Sequence, residues 1–257
     1  IQKNKRIRLT LNVNGALLEL FDKYGHDRLI DILREIGSEK RVEFTSSSKY
    51  HAFLPFLGEK EIIRQIELND AANKFFLGDG YNPQGFFPPE MGYKEELALS
   101  IEGLGFKWII LDEIACEGKV GAVDYNKIYK IKGTSLSVFF RERRLSNLIM
   151  SAVVRSKETL TESMREDLKS GRYLVTAMDV ETFGHHRPGL EQLLFEMYEQ
   201  NEINTIFISD LPTYFKEVVD VKPNPSTWAL MEKDLEKKRP FSRWKDEHNE
   251  IHKLQWE

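Results

Sequence analysis

What most constrains this chain is the regular alternation of short apolar runs with amphipathic stretches. Seven runs read as strands: 6–13, 42–48, 86–90, 108–113, 135–140, 173–179 and 205–210. Helical patterns fall between them at 16–36, 59–76, 94–104, 145–154, 158–168 and 190–201, with Gly25 dividing the first and Gly105 ending the third. Strand followed by helix, repeated, predicts an α/β fold around a parallel sheet. Acids and histidines cluster after the strands rather than before them. That favours a barrel with its chemistry on the carboxyl-end rim. An open doubly wound sheet is the alternative, but no GxGxxG or P-loop is present to give it a nucleotide. The chain reads as a single domain over 1–257, with an irregular tail from about residue 220.

Composition narrows the partners. Hydrophobic residues make up 41% of 257 residues, enough for a sizeable core, and 16 Phe, 9 Tyr and 4 Trp supply rings for packing or for stacking on sugars. The net charge of −4 and the lack of a long basic run argue against a nucleic-acid partner. No apolar run is long enough for a membrane span, and no secretory signal is visible. Cys116 is the only cysteine, so an internal disulfide is impossible, which fits a reducing compartment. The expected location is cytoplasmic.

Two stretches carry the chemistry. Residues 85–93 (GFFPPEMGY) run from an apolar strand into two prolines and deliver one carboxylate, Glu90. Residues 173–186 (YLVTAMDVETFGHH) repeat that layout with Asp179 and Glu181. Glu90 and Asp179 are expected to face each other across one pocket as a carboxylate pair. Each also has an ordinary reading. Glu90 could stabilise a helix N-terminus, and Asp179 could cap a turn. In the functional reading Glu181 is a helper carboxylate that tunes Asp179. Asp179, Glu181, His185 and His186 are all metal-ligand types, but adjacent histidines seldom share an ion and no HExxH is present, so no metal is expected. His51 follows a strand at the same rim. One of Arg141, Arg143 and Arg144 is expected to pair with a catalytic carboxylate, and the others to be solvated. Trp228 and Trp244 lie in the tail as packing anchors or ligand platforms.

Taken in order, the motifs Tyr50-His51-Ala52-Phe53-Leu54-Pro55, Gly85-Phe86-Phe87-Pro88-Pro89-Glu90 and Asp179-Val180-Glu181-Thr182-Phe183-Gly184 resemble glycoside hydrolase family 57. The tail, with Ser226-Thr227-Trp228, Trp244 and His252-Lys253-Leu254-Gln255-Trp256, is similar to the same family. The family contains α-amylases, 4-α-glucanotransferases, glycogen branching enzymes and amylopullulanases. The resemblance implies a distorted (β/α)7 TIM-like barrel and a retaining mechanism on α-1,4-linked glucans or maltooligosaccharides, with no cofactor. It makes Glu90 the nucleophile and Asp179 the general acid/base. It places His51 near the reacting sugar, with Glu181, Arg143, Trp228 and Trp244 as substrate-binding or orienting groups.

The chain departs from the family pattern in two ways. Members usually open with a strand bearing a His-x-x-Gln-Pro motif, and this chain opens on what reads as the next strand. A C-terminal helical domain, which many members carry, is not evident. Two competing readings follow: a non-catalytic carbohydrate-binding relative with an incomplete site, and a metal-dependent polysaccharide deacetylase, whose fold is similar.

Overall fold

A computed structural model of the chain describes residues 8–199 and 203–256. β1 (Leu9–Asn12) pairs in parallel with β2 (Val42–Thr45), Leu9 opposite Val42 and Asn12 opposite Thr45. Positions 6 and 7 of the expected first strand lie outside the described residues. Asn14 stops the strand and caps α1 (Gly15–Lys23), its side chain accepting the Leu17 N–H at 2.9 Å. Gly25, at φ 73°, divides the helical stretch, and α2 (Asp27–Ser38) follows. α3 (Glu59–Leu77) then leads to β3 (Gly85–Phe86), which joins the first pair through a parallel bridge between Ser46 and Phe86.

β3 pairs with β4 (Trp108–Asp112) across the connection made by α4 (Glu95–Gly103), and all five residues of β4 are buried. A strand covered on both faces reads as an unbroken apolar run, as Trp-Ile-Ile-Leu does here. At Gly85 an added Cβ would lie 2.1 Å from the Trp108 ring, so glycine lets β3 approach β4. β5 (Ile128–Ile131) runs antiparallel to β6 (Ser137–Arg141), while β6 is parallel to β4. Helices α5 (Arg143–Met150), α6 (Lys157–Ser163), α7 (Arg165–Ser170), α8 (Glu191–Glu199) and α9 (Leu211–Tyr214) follow. β7 (Val218–Val221) then pairs in parallel with β5, and the tail holds α10 (Glu232–Glu236) and α11 (Glu250–Trp256).

Two expected strands are not strands. Segment 173–179 touches β6 through a single parallel bridge, Val175 to Arg141, with the Val175 carbonyl accepting the Glu142 N–H at 2.7 Å. The cause is competition: β4 runs along one edge of β6 and β5 folds back onto the start of the other, leaving only its end. Segment 205–210 makes no ladder among the described residues. Side chains hold it instead. The Arg8 N–H reaches the Thr205 hydroxyl, and the Ser209 N–H reaches the Glu43 carboxylate, each at 3.4 Å. Residues 200 and 201, the end of the helix expected there, lie outside the described residues. Conversely, β5 and β7 fall where the sequence reads as an excursion and a broken tail. Both are four-residue strands, and β7 is half exposed.

The result is a mixed α/β fold. Among the described residues its strands form one sheet of two and one of five, the larger in the order β3-β4-β6-β5-β7, with no ladder that closes round a barrel. The main core packs Phe86, Ile109, Leu111, Phe139 and Phe140 against Ile66, Leu97 and Ile101 of α3 and α4. Each such fully buried side chain contributes about 1.5–3 kcal/mol. Smaller cores join α1 and α2 to β2, and α5 and α6 to α8. Among the described residues no helix is long and apolar enough to cross a membrane.

Candidate active site

Glu90 owes its position to the two prolines before it. The Phe87 N–H still donates to the Ser46 carbonyl at 2.9 Å, but Pro88 and Pro89 have no N–H to continue the pairing. The chain coils into a short 3-10 turn, Pro89–Met91, with Glu90 at φ 60° and ψ 14°. That left-handed backbone is unfavourable for a side chain with a Cβ, and it points to a site where geometry is imposed by the surroundings.

Two side chains hold the Glu90 carboxylate. The His51 Nε2–H donates to Oε1 at 3.3 Å, and the Trp228 Nε1–H donates to Oε2 at 2.9 Å. His51 is itself at φ 53°, in the loop after β2. Trp228 is delivered by the tail. Tyr93 and Ser226 form an antiparallel bridge, and the Trp228 N–H donates to the Glu90 carbonyl at 3.1 Å. The tail therefore grips both the backbone and the side chain of Glu90. The His51 hydrogen bond pulls the Glu90 carboxyl below the usual glutamate range. Partial burial opposes this, and the Trp228 indole adds to the lowering.

Asp179 is displaced in the opposite direction. Loss of water around its carboxyl raises it above the usual aspartate range, and the negative charges of Glu181 and Glu90 raise it further, against weaker lowering by His51 and His186. The two carboxyls are near enough for Glu90 to act on Asp179. The two carboxyls are thus pushed apart, Glu90 toward the ionised form and Asp179 toward the protonated one, the division of labour that acid-and-nucleophile chemistry requires. Asp179 heads the short turn Val180–Thr182, and the Glu181 carbonyl accepts the His186 N–H at 2.7 Å.

The arginines correct the sequence reading. None is bonded to Glu90 or Asp179 among the described contacts. Arg143 clamps Asp112 with Nη2 at 2.6 Å and Nε at 3.3 Å, and Arg141 reaches the same carboxylate at 3.0 Å. Arg141, expected to be solvated if it did not pair, is 2% exposed. Arg144 pairs with Glu142 and Asp167. The reason lies in register: Arg141 ends β6 directly opposite Asp112 at the end of β4. Asp112 is the functional-looking residue that the sequence reading passed over. Its only signal was an acid closing an apolar strand, with a run of arginines closing the next expected strand.

Trp244 makes no hydrogen bond to either carboxyl among the described contacts. It stacks on Phe53 with ring centres 4.7 Å apart and planes 8° from parallel, and Phe241 and Phe56 complete the cluster. Trp256 meets Phe56 edge-on at 5.1 Å. These rings clamp the loop that begins with His51. Among the described residues no group of three or more His, Cys, Asp or Glu side chains is arranged to hold a metal ion.

Comparison with known proteins locates the chain. The family model described as Glycosyl hydrolase family 57 matches residues 1–222. An α-amylase of Pyrococcus horikoshii is 22% identical over 200 residues, covering 76% of this chain and 30% of the amylase. The chain spans less than a third of the length of the curated relatives it matches. Among solved structures, a 4-α-glucanotransferase of Thermococcus litoralis superposes with a TM-score of 0.70 at 18% identity, over 89% of this chain and 37% of that one. A branching enzyme of Thermococcus kodakaraensis superposes with a TM-score of 0.67 at 20% identity, over 93% and 57%. At these identities the superpositions speak to the fold.

Proposed function

The chain belongs to glycosyl hydrolase family 57, and from that premise we propose that it is the catalytic part of a retaining enzyme acting on α-1,4-linked glucans. Glu90 is the nucleophile and Asp179 the general acid/base. The observation that carries this reading is the opposed displacement of the two carboxyls, Glu90 lowered by its donors and Asp179 raised by burial and neighbouring charge. On the same premise the two sheets are arcs of a distorted (β/α)7 barrel. Segments 173–179 and 205–210 continue the strand order, and the Arg8–Thr205 contact joins the first strand to the last segment.

Retaining chemistry needs carboxyls about 5–5.5 Å apart across the scissile bond, which leaves no room for a water between them and the sugar. Ionised Glu90 attacks the anomeric carbon while Asp179 gives its proton to the departing glycosidic oxygen. His51 and Trp228 fix the direction of attack, since each holds a different oxygen of Glu90. Asp179, now ionised, takes a proton from the incoming hydroxyl, which then displaces Glu90. Water as acceptor gives hydrolysis, and a sugar hydroxyl gives transfer.

The test is a chromatographic product profile on maltoheptaose for the parent and for Glu90→Gln. Products both longer and shorter than the substrate from the parent, absent in the variant, identify a glucanotransferase using Glu90. Shorter products alone identify an amylase. A folded parent that yields no product overturns the proposal.

A further inference from the structure

Asp112 sits beneath the site, at the end of β4, with 0% of its surface exposed. Its oxygens accept four donors: Ile114 N–H at 3.1 Å and Arg143 Nη2 at 2.6 Å on one, Arg141 Nη1 at 3.0 Å and Arg143 Nε at 3.3 Å on the other. Both arginines have further bonds, and these lead to the two halves of the site. The remaining donors of Arg143 hold the Trp228 carbonyl at 3.1 Å and the Leu230 carbonyl at 2.9 Å. Trp228 is the residue whose indole binds Glu90. Arg141 Nε holds the Ala177 carbonyl at 2.7 Å, two residues before Asp179, and its Nη2 holds Asn147 at 3.1 Å. The Arg141 guanidinium also lies 5.9 Å from the centre of the Trp228 ring. One buried carboxylate thus anchors two forks, one under each reacting group.

We propose that Asp112 is a positioning residue that sets Glu90 and Asp179 relative to each other, acting through Arg143 on Trp228 and through Arg141 on the backbone at Ala177. The inference rests on the roles given above to Glu90 and Asp179. A guanidinium is suited to the task because its planar fork serves several acceptors at fixed angles, which a lysine ammonium does not. Segment 173–179 needs such a tether more than a true strand would, since it has only one ladder bridge of its own.

The experiment uses the whole chain in parent, Arg143→Lys, Arg141→Lys, Asp112→Asn and Trp228→Phe forms. The two lysine variants keep a cation beside Asp112 but lose the fork. Two quantities are read: kcat and KM on maltoheptaose across pH, and the Trp228 indole N–H resonance, identified by its loss in Trp228→Phe. The groups that face Glu90 are His51, Trp228 and Asp179, and those that face Asp179 are Glu181, Glu90, His51 and His186. Arg143→Lys should lower kcat about 100-fold with little change in KM, the scale of a misplaced reacting group. It should also shift the indole resonance and move the acid limb of the profile to higher pH, as Glu90 loses a donor. Arg141→Lys should instead move the basic limb to lower pH, as the Asp179 segment opens to water. Asp112→Asn should do both; if it does not fold, the lysine variants decide. Lysine variants that melt earlier but keep the parent's kcat, both limbs and the indole resonance overturn the proposal. A parent that makes no product while the indole resonance still responds to Arg143→Lys overturns the proposed function and leaves the Asp112–Arg143–Trp228 linkage standing.

Discussion

Glu90 is tightly constrained. It is held at three points, by His51, by the Trp228 indole and by the Trp228 backbone, on a left-handed backbone that costs about 1–2 kcal/mol. His51 contributes the largest lowering of its pKa. Replacing His51 by Asn should therefore raise the Glu90 pKa and move the acid limb of kcat/KM to higher pH. The loss should be about ten- to a hundredfold, the worth of one hydrogen bond to a charged group. A pH–rate profile checks it, and an unmoved acid limb would remove His51 from the ionisation of Glu90.

The elements were unevenly legible in the sequence. Long amphipathic helices were plain, because α3 repeats its apolar positions over 19 residues. Gly25 and Gly105 marked their breaks through positive φ. β4 was plain because both its faces are buried. What the sequence did not reveal was competition for an edge: segment 173–179 has a strand's composition, yet β5 takes the start of the β6 edge it would pair with. The candidate carboxylates and His51 were readable as acids and a histidine after strands. Asp112 was not, because its meaning comes from Arg141 standing opposite it, a matter of register. Register also rests on Gly85. Gly85→Ala would drive a methyl group into the Trp108 ring, whose indole donates to Ser209 at 2.9 Å. Overpacking of this kind costs about 1–3 kcal/mol. Thermal unfolding should show a lower melting temperature, and an unchanged one would mean that β3 and β4 can part freely.

For the whole molecule, one contact between the first strand pair and segment 205–210 is made by a carboxylate. The Glu43 carboxylate accepts from Thr10 at 3.1 Å and from the Ser209 N–H. Burial raises its pKa above the usual glutamate range, outweighing the lowering by those hydrogen bonds. A carboxyl raised on folding binds its proton more tightly when folded. Its stabilising contribution is complete below the unfolded value and is lost as pH rises through the folded one. Glu43→Gln keeps an acceptor and removes the charge. Between about pH 4 and about pH 8, its melting temperature should fall less than the parent's, and equal falls would show that Glu43 ionises without cost. The site is likewise assembled across the length of the chain. Glu90 and the indole that grips it are 138 residues apart, and contacts this distant in sequence form late. During synthesis Glu90 is made well before Trp228. The nascent protein carries Glu90 without that grip until the stretch around Trp228 emerges.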